Sequence, residues 1–171
     1  MSVENCTYWI LCGVNRFSIV NSIWASIDKK KIIPSEIVLL FSDKELISDK
    51  IKNSIQALVD EFLDGQCKIN SGIISEWEIK KNIDMLVDLV MEKSDNKKTL
   101  VIDITPGRKT MSISGVLFAI KILRRKEQFK NITLQHIIYW HLRDSEKYQN
   151  KWYSEIPRTN FNCVDLMEVF Q

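Results

Sequence analysis

Short apolar runs recur along this chain, and stretches of helical periodicity separate them. Thr7–Val14 (TYWILCGV), Ser35–Phe41 (SEIVLLF) and Thr99–Thr105 contain few polar positions. That is the pattern of strands buried on both faces, not of strands with one wet face. Strands of this kind lie parallel, and a parallel strand reaches its neighbour only through a crossover, usually a helix. The alternation therefore restricts the chain to an α/β sheet with helices on both faces.

The intervening segments supply those helices. Ile19, Ile23 and Ile27 form one stripe of a helix from about Ser18 to Lys30, with Trp24 beside it and Ser18 as a candidate N-cap. Pro34 marks a break before the second strand. Lys44–Leu63 reads as a long helix turning Ile47, Ile51, Ile55, Leu58 and Phe62 inward, and Gly65 stands where a C-terminal glycine belongs. A weak strand around Gln66–Asn70 precedes a helix over Ser75–Met91 that carries Trp77, Ile79, Ile83, Leu86 and Val90. Glu92–Lys98 is a polar loop too short to separate two domains. Thr110–Arg125 is a helix, and Ile132–Leu142 and Phe161–Phe170 are the last strands. A polar segment, Arg143–Glu155, joins these two strands without a helix, so they can form an antiparallel C-terminal edge. The expected fold is a Rossmann-like, doubly wound, mainly parallel sheet, one domain over residues 1–171.

Charge and cysteine usage narrow the function. A net charge of +2 provides no global field for nucleic acid, and no basic helix is present, so direct DNA binding is not expected. Cys6, Cys12, Cys67 and Cys163 form no C-x-x-C pair and lie mostly in apolar runs, as reduced core thiols do. No apolar run approaches the ~20 residues that cross a bilayer, and no signal peptide precedes the first strand. A cytoplasmic protein without a membrane partner is expected.

The stretch Val101–Ser114, VIDITPGRKTMSIS, concentrates the chemistry. A strand ends in Asp103, a turn holds Pro106 and Gly107, two cations follow, and Thr110 opens a helix. Backbone N–H groups at such a helix start, beside Arg108 and Lys109, suit an anion at the carboxyl end of a parallel strand. Met111, Gly115 and Ala119 recur every four residues and let that helix sit close to the sheet. Asp103 is expected to brace the turn and to stay ionised beside the two cations. Asn15, Arg16, Phe17 and Ser18 occupy a second strand-to-helix turn after Gly13.

Other constellations fail on spacing. The dinucleotide fingerprint G-x-G-x-x-G is missing, since only Gly13 is present after the first strand, and the P-loop spacing is absent around Gly107 and Lys109. No Cys/His cluster suggests a metal, and no cofactor is implied. His136 and His141, five apart in one strand, point to opposite faces and cannot share a metal. Glu76, Glu78 and Lys80 read as a solvated helix face. Trp152 and Tyr153 among charges are open to two readings, a lid or aromatics packed on the last strand.

Asp103-Ile-Thr105-Pro-Gly107-Arg-Lys109-Thr-Met111-Ser112 resembles the second signature of the CARF domain, the CRISPR-associated Rossmann fold, Asp-x-Thr-Gly-Gly-Thr-Lys-x-Met-Ser. Pro106 replaces the first Gly and Arg108 the second Thr. Val14-Asn15-Arg16-Phe17 stands where the family often has Gly-Thr-Ser-Pro, and Trp24 matches a frequent aromatic. The resemblance implies a homodimer that binds a cyclic oligoadenylate, the messenger of type III CRISPR defence, with cyclic tetra-adenylate favoured by analogy. It implies ligand contacts from Asn15, Arg16, Phe17 and Ser18, and from Thr105, Pro106, Gly107, Arg108, Lys109, Thr110, Met111 and Ser112. No HEPN signature and no helix-turn-helix follows the fold. The chain therefore resembles the stand-alone ring nucleases, which linearise the messenger without a metal. In that reading Lys109, Ser18 and Arg16 are the catalytic candidates. The alternative is a non-catalytic sensor, or a fragment of a larger effector.

Overall fold

The computed structural model describes residues 3–92 and 97–170. Six strands form one sheet in the order β3-β2-β1-β4-β5-β6. They are β1 (Val3–Cys12), β2 (Ile32–Phe41), β3 (Lys68–Ile73), β4 (Lys98–Asp103), β5 (Ile132–Leu142) and β6 (Phe161–Asp165). All neighbours run parallel except β5 and β6, which pair antiparallel from Ile138–Asp165 to Leu142–Phe161. This is the Rossmann-like, doubly wound architecture that the alternation predicts. The expected Glu92–Lys98 loop falls largely on residues 93–96, outside the described residues.

Each sheet face has its own core. Helices α1 (Arg16–Lys30) and α2 (Asp49–Phe62) cover one face, where Ile19, Ile23, Ile51, Ile55, Leu58 and Val59 meet Tyr8, Ile10, Ile37 and Leu39. On the other face, α3 (Ile79–Met91) and α4 (Lys109–Arg124) bring Leu86, Val90, Met111, Phe118 and Ile122 against Trp9, Leu11, Leu40 and Ile102. Burial of each such aliphatic side chain contributes about 1.5–3 kcal/mol. Gly115 is needed for close approach: a Cβ there would stand 2.7 Å from the Leu11 side chain.

The strand order reverses between β1 and β4, because the chain winds outward from β1 to β3 and then returns to start β4. At such a switch point the loops after the two central strands diverge and leave a crevice. Here those loops are the β1–α1 and β4–α4 turns.

Several boundaries differ from the sequence reading. Pro34 lies inside β2, opposite Cys6, where the β1 register shifts on both sides and Asn5 takes φ 55°. That bulge accommodates the ladder bond a proline cannot donate. The long Lys44–Leu63 helix divides, because Ser48 caps α2 through the Ile51 N–H and a 3₁₀ turn, Lys44–Leu46, precedes it. Phe62 is exposed. Ser75–Glu78 is a turn, not helix: the Ser75 hydroxyl accepts from the Trp77 and Glu78 N–H groups, and Trp77 is 79% exposed. β6 stops at Asp165, whose carboxylate accepts from the Met167 N–H and starts a short helix, α5 (Met167–Phe170).

Candidate functional site

Two turns meet at the switch point with no room between them. A Cβ on Gly13 would lie 2.2 Å from the Pro106 carbonyl oxygen, and one on Gly107 would lie 3.2 Å from the Leu11 carbonyl oxygen. Glycine at both positions lets the backbones touch. Beside the contact opens a cleft of about 490 Å³, lined by Asn15, Ser18 and Asn21 from one turn and Thr105, Pro106, Gly107 and Arg108 from the other. Its far wall is Tyr139–Leu142 of β5, with Ser145 and Gln149 from the following segment, which holds a one-turn helix, Ser145–Tyr148, where the sequence reading has none.

The first turn is closed on itself. Asn15, not Ser18, is the N-cap of α1, and its Oδ1 accepts from the Phe17 and Ser18 N–H groups at 2.9 and 3.3 Å. Its Nδ2 donates to the Gln149 carbonyl. Arg16 and Phe17 turn away from the cleft. The Arg16 guanidinium lies 4.9 Å above the Phe17 ring and 5.6 Å from that of Trp152, and the two rings touch at 4.5 Å. The Arg143–Glu155 segment is therefore strapped down, not a free lid. Asn21 accepts from the Tyr153 N–H and donates to the Lys151 carbonyl, and Tyr153 packs between Trp24 and Phe161.

The second turn is braced from below and open above. Asp103 is fully buried. Its Oδ1 accepts from the Thr105 N–H at 2.8 Å, and its Oδ2 accepts from the Tyr8 hydroxyl at 2.5 Å. Thr105 in turn accepts the Trp140 N–H at 2.8 Å, which joins the turn to β5. Ser112 donates to the Ile104 carbonyl at 2.9 Å. Met111 is wholly inside the core, so the ligand contact expected of it is excluded. No side chain caps α4, and its first turn holds no acid. Its leading N–H groups thus retain the partial positive charge that attracts anions.

The two cations diverge. Arg108 lines the cleft and pairs with Glu76, which corrects the solvated reading of that acid. The pairing follows from Asn82, buried, which grips both backbone polar groups of Ser75 and donates to Ser114 of α4. Lys109 is exposed and lines a neighbouring depression of about 430 Å³ with Ser112 and Ile113. Thr110 lines neither hollow.

Burial and hydrogen bonds, not the two cations, set the titration of Asp103. Burial pushes its pKa upward, against hydrogen bonds from Thr105 and Tyr8 that pull it down. The Tyr8 hydroxyl is raised well above its ordinary value, first by burial and then by the Asp103 charge, so it remains a donor. The cysteines are free, and burial raises Cys6 to about 12 and Cys67 and Cys163 to about 11, which leaves no reactive thiolate. Among the described residues no three His, Cys, Asp or Glu side chains gather for a metal, and no helix is long and apolar enough to cross a membrane.

Sequence reasoning missed the β5 wall. Tyr139 and His141 reach the cleft because β5 outruns β4, a difference in length that apolar runs alone do not reveal.

No protein-family model matches the chain, and no curated protein matches it. Among solved structures, it is similar to Can2 from Sulfobacillus thermosulfidooxidans in complex with cyclic tetra-adenylate, at 16% identity and a TM-score of 0.49. That alignment covers 79% of this chain and 32% of the other, so this chain spans about a third of that protein's length.

Proposed function

We propose that this chain is a CARF-like domain that binds a cyclic oligoadenylate, cyclic tetra-adenylate first among them, and opens the ring without a metal. The observation that carries this reading is the uncapped N-terminus of α4, flanked by Arg108 and Lys109 and bordering a cleft. A phosphodiester meets there N–H donors, formal positive charge and hydroxyls. The cleft, about 490 Å³, falls in the lower half of the ~300–1,000 Å³ span of small-molecule sites. It holds part of a four-nucleotide ring, so a second copy of the chain supplies the rest in a homodimer.

In ring opening, a ribose 2′-oxygen attacks the adjoining phosphorus and the P–O5′ bond breaks. The products carry a 2′,3′-cyclic phosphate and a 5′-hydroxyl. Catalysis then amounts to alignment and stabilisation of the added negative charge. Lys109 and the α4 N–H groups stabilise that charge, and Ser18, on the cleft wall, orients a ribose or phosphate oxygen. Arg16 is left out of the mechanism, because its guanidinium is engaged over Phe17 and Trp152.

A second reading, a sensor that binds without cleaving, is favoured by one observation. Glu76 already pairs with Arg108, which leaves Lys109 to carry the transition-state charge. Incubation with cyclic tetra-adenylate in EDTA, followed by chromatography, separates the two. Linear di-adenylate with a cyclic phosphate end is expected; intact ring retained by the protein makes it a sensor, and no binding removes both readings.

A further inference from the structure

The last register pair of β4 and β5 is Asp103–Ile138, and β5 continues to Leu142. The four-residue overhang rises about 13 Å above the end of β4 at ~3.3 Å per residue. Strand alternation divides its side chains. Trp140 enters the core, stacked on Phe161 at 5.4 Å and donating from Nε1 to Ser26. Tyr139 and His141 face the other way. Tyr139 is 40% exposed and His141 is also exposed, with ring centroids 6.4 Å apart and planes inclined by 39°.

Their position is specific. Only Thr105, Gly107 and Tyr139, among the described residues, line both the cleft and the depression that holds Lys109. Tyr139 therefore stands beside the turn on the side of both cations. Trp140 N–H, bonded to Thr105, holds that part of the strand at a fixed distance from the turn. Aromatic faces left open next to an anion seat suit the flat base of a nucleotide whose phosphate occupies that seat. The phenol hydroxyl and the imidazole nitrogens add hydrogen-bonding groups for a base edge.

We propose that Tyr139 and His141 form a nucleobase seat on the β5 overhang, taking the base of the nucleotide whose phosphate lies on the 105–109 turn. That the base is adenine rests on the function proposed above; the seat itself rests on the juxtaposition of exposed aromatic pair, cleft and turn.

The test is an NMR titration of the full chain with adenosine 5′-monophosphate and, as a probe without a base, ribose 5-phosphate. Binding of cyclic tetra-adenylate by the wild type, Tyr139→Leu and Tyr139→Phe is measured alongside. The nucleotide should move the Tyr139 and His141 ring protons upfield, whereas ribose 5-phosphate should move only amides of the turn and of the α4 start. Tyr139→Leu should weaken nucleotide and ring binding roughly tenfold, and Tyr139→Phe should stay within about twofold. Unchanged affinity in Tyr139→Leu overturns the seat, as do ring protons that ignore the nucleotide or respond equally to ribose 5-phosphate. Concentration-dependent burial of Tyr139 without nucleotide overturns it in favour of an interface between copies. If adenosine 5′-monophosphate stacks but cyclic tetra-adenylate does not bind, the seat stands and the messenger reading falls. If neither binds, both fall.

Discussion

At the switch point the same device stands twice, a central parallel strand turning into a helix, and the two copies are finished differently. After β1 the turn is self-sufficient: Asn15 caps the α1 N–H groups, and Arg16 lies on aromatic rings. After β4 nothing caps α4, although Asp103, Thr105, Gly107 and Ser112 lock the backbone beneath it. A helix start that satisfies its own donors adds stability, and one that leaves them open keeps them for an anion. In the proposed function, that difference separates a structural turn from a binding turn within one fold.

The largest effect should come from forcing the turns apart. Gly13→Ala places a methyl 2.2 Å from the Pro106 carbonyl, which must move. We expect the rate of ring opening to fall on the order of 100-fold, the scale of an ~1 Å misplacement of reacting groups, while circular dichroism shows the fold retained. Lys109→Ala should follow, with a loss of about 1.5–3 kcal/mol in binding, the worth of a charged hydrogen bond, and with cleavage abolished in a product assay.

The contrast sharpens with Asn15→Ala. Removing that cap should cost about 1 kcal/mol and lower the melting temperature by about 2–4 °C, with ligand affinity nearly unchanged by calorimetry. A smaller effect of opposite sign is expected from Glu76→Gln, which frees Arg108. An exposed pair is worth about 0.2–1 kcal/mol, so affinity should rise by no more than about fivefold.

The smallest signal concerns Asp103. Its folded pKa lies above the ordinary 3.8 because of burial, so the folded chain takes up the proton first as pH falls. Stability should therefore rise as pH falls from the raised folded value towards 3.8, and the slope should vanish in Asp103→Asn, read from urea midpoints. Asp165 behaves oppositely. Burial raises its pKa, but hydrogen bonds from His136 and the Met167 N–H, with Lys30 nearby, outweigh that and leave it lowered, so its contribution is lost in acid.

Sheet order and the position of the β4–α4 turn are legible because they depend on what sequence displays directly. Apolar runs declare buried strands, and Pro-Gly followed by two cations declares a turn at a helix start. The motif positions were also visible, but their division of labour was not. Thr105, Gly107, Met111 and Ser112 look like ligand groups in a signature, yet each is engaged in holding the turn or filling the core, whereas Asp103 braces the turn as its place before the Pro-Gly suggests. Roles of that kind depend on what lies across space: Tyr8 from β1, Trp140 from β5, Leu11 beneath Gly107. The cap falls on Asn15 and not on Ser18, because both residue types cap helices and α1 starts at Arg16, two positions before the periodicity places it. Tyr139 and His141 escaped because the relative lengths of β4 and β5 are settled by tertiary register.

The most direct measurement is an amide NMR titration with cyclic tetra-adenylate, comparing the first turns of α4 and α1. The account predicts large shifts of the Lys109 and Thr110 amides on binding, with that of Phe17, already bonded to Asn15, nearly still. A shift concentrated at Phe17 while Lys109 and Thr110 stay unchanged would contradict it.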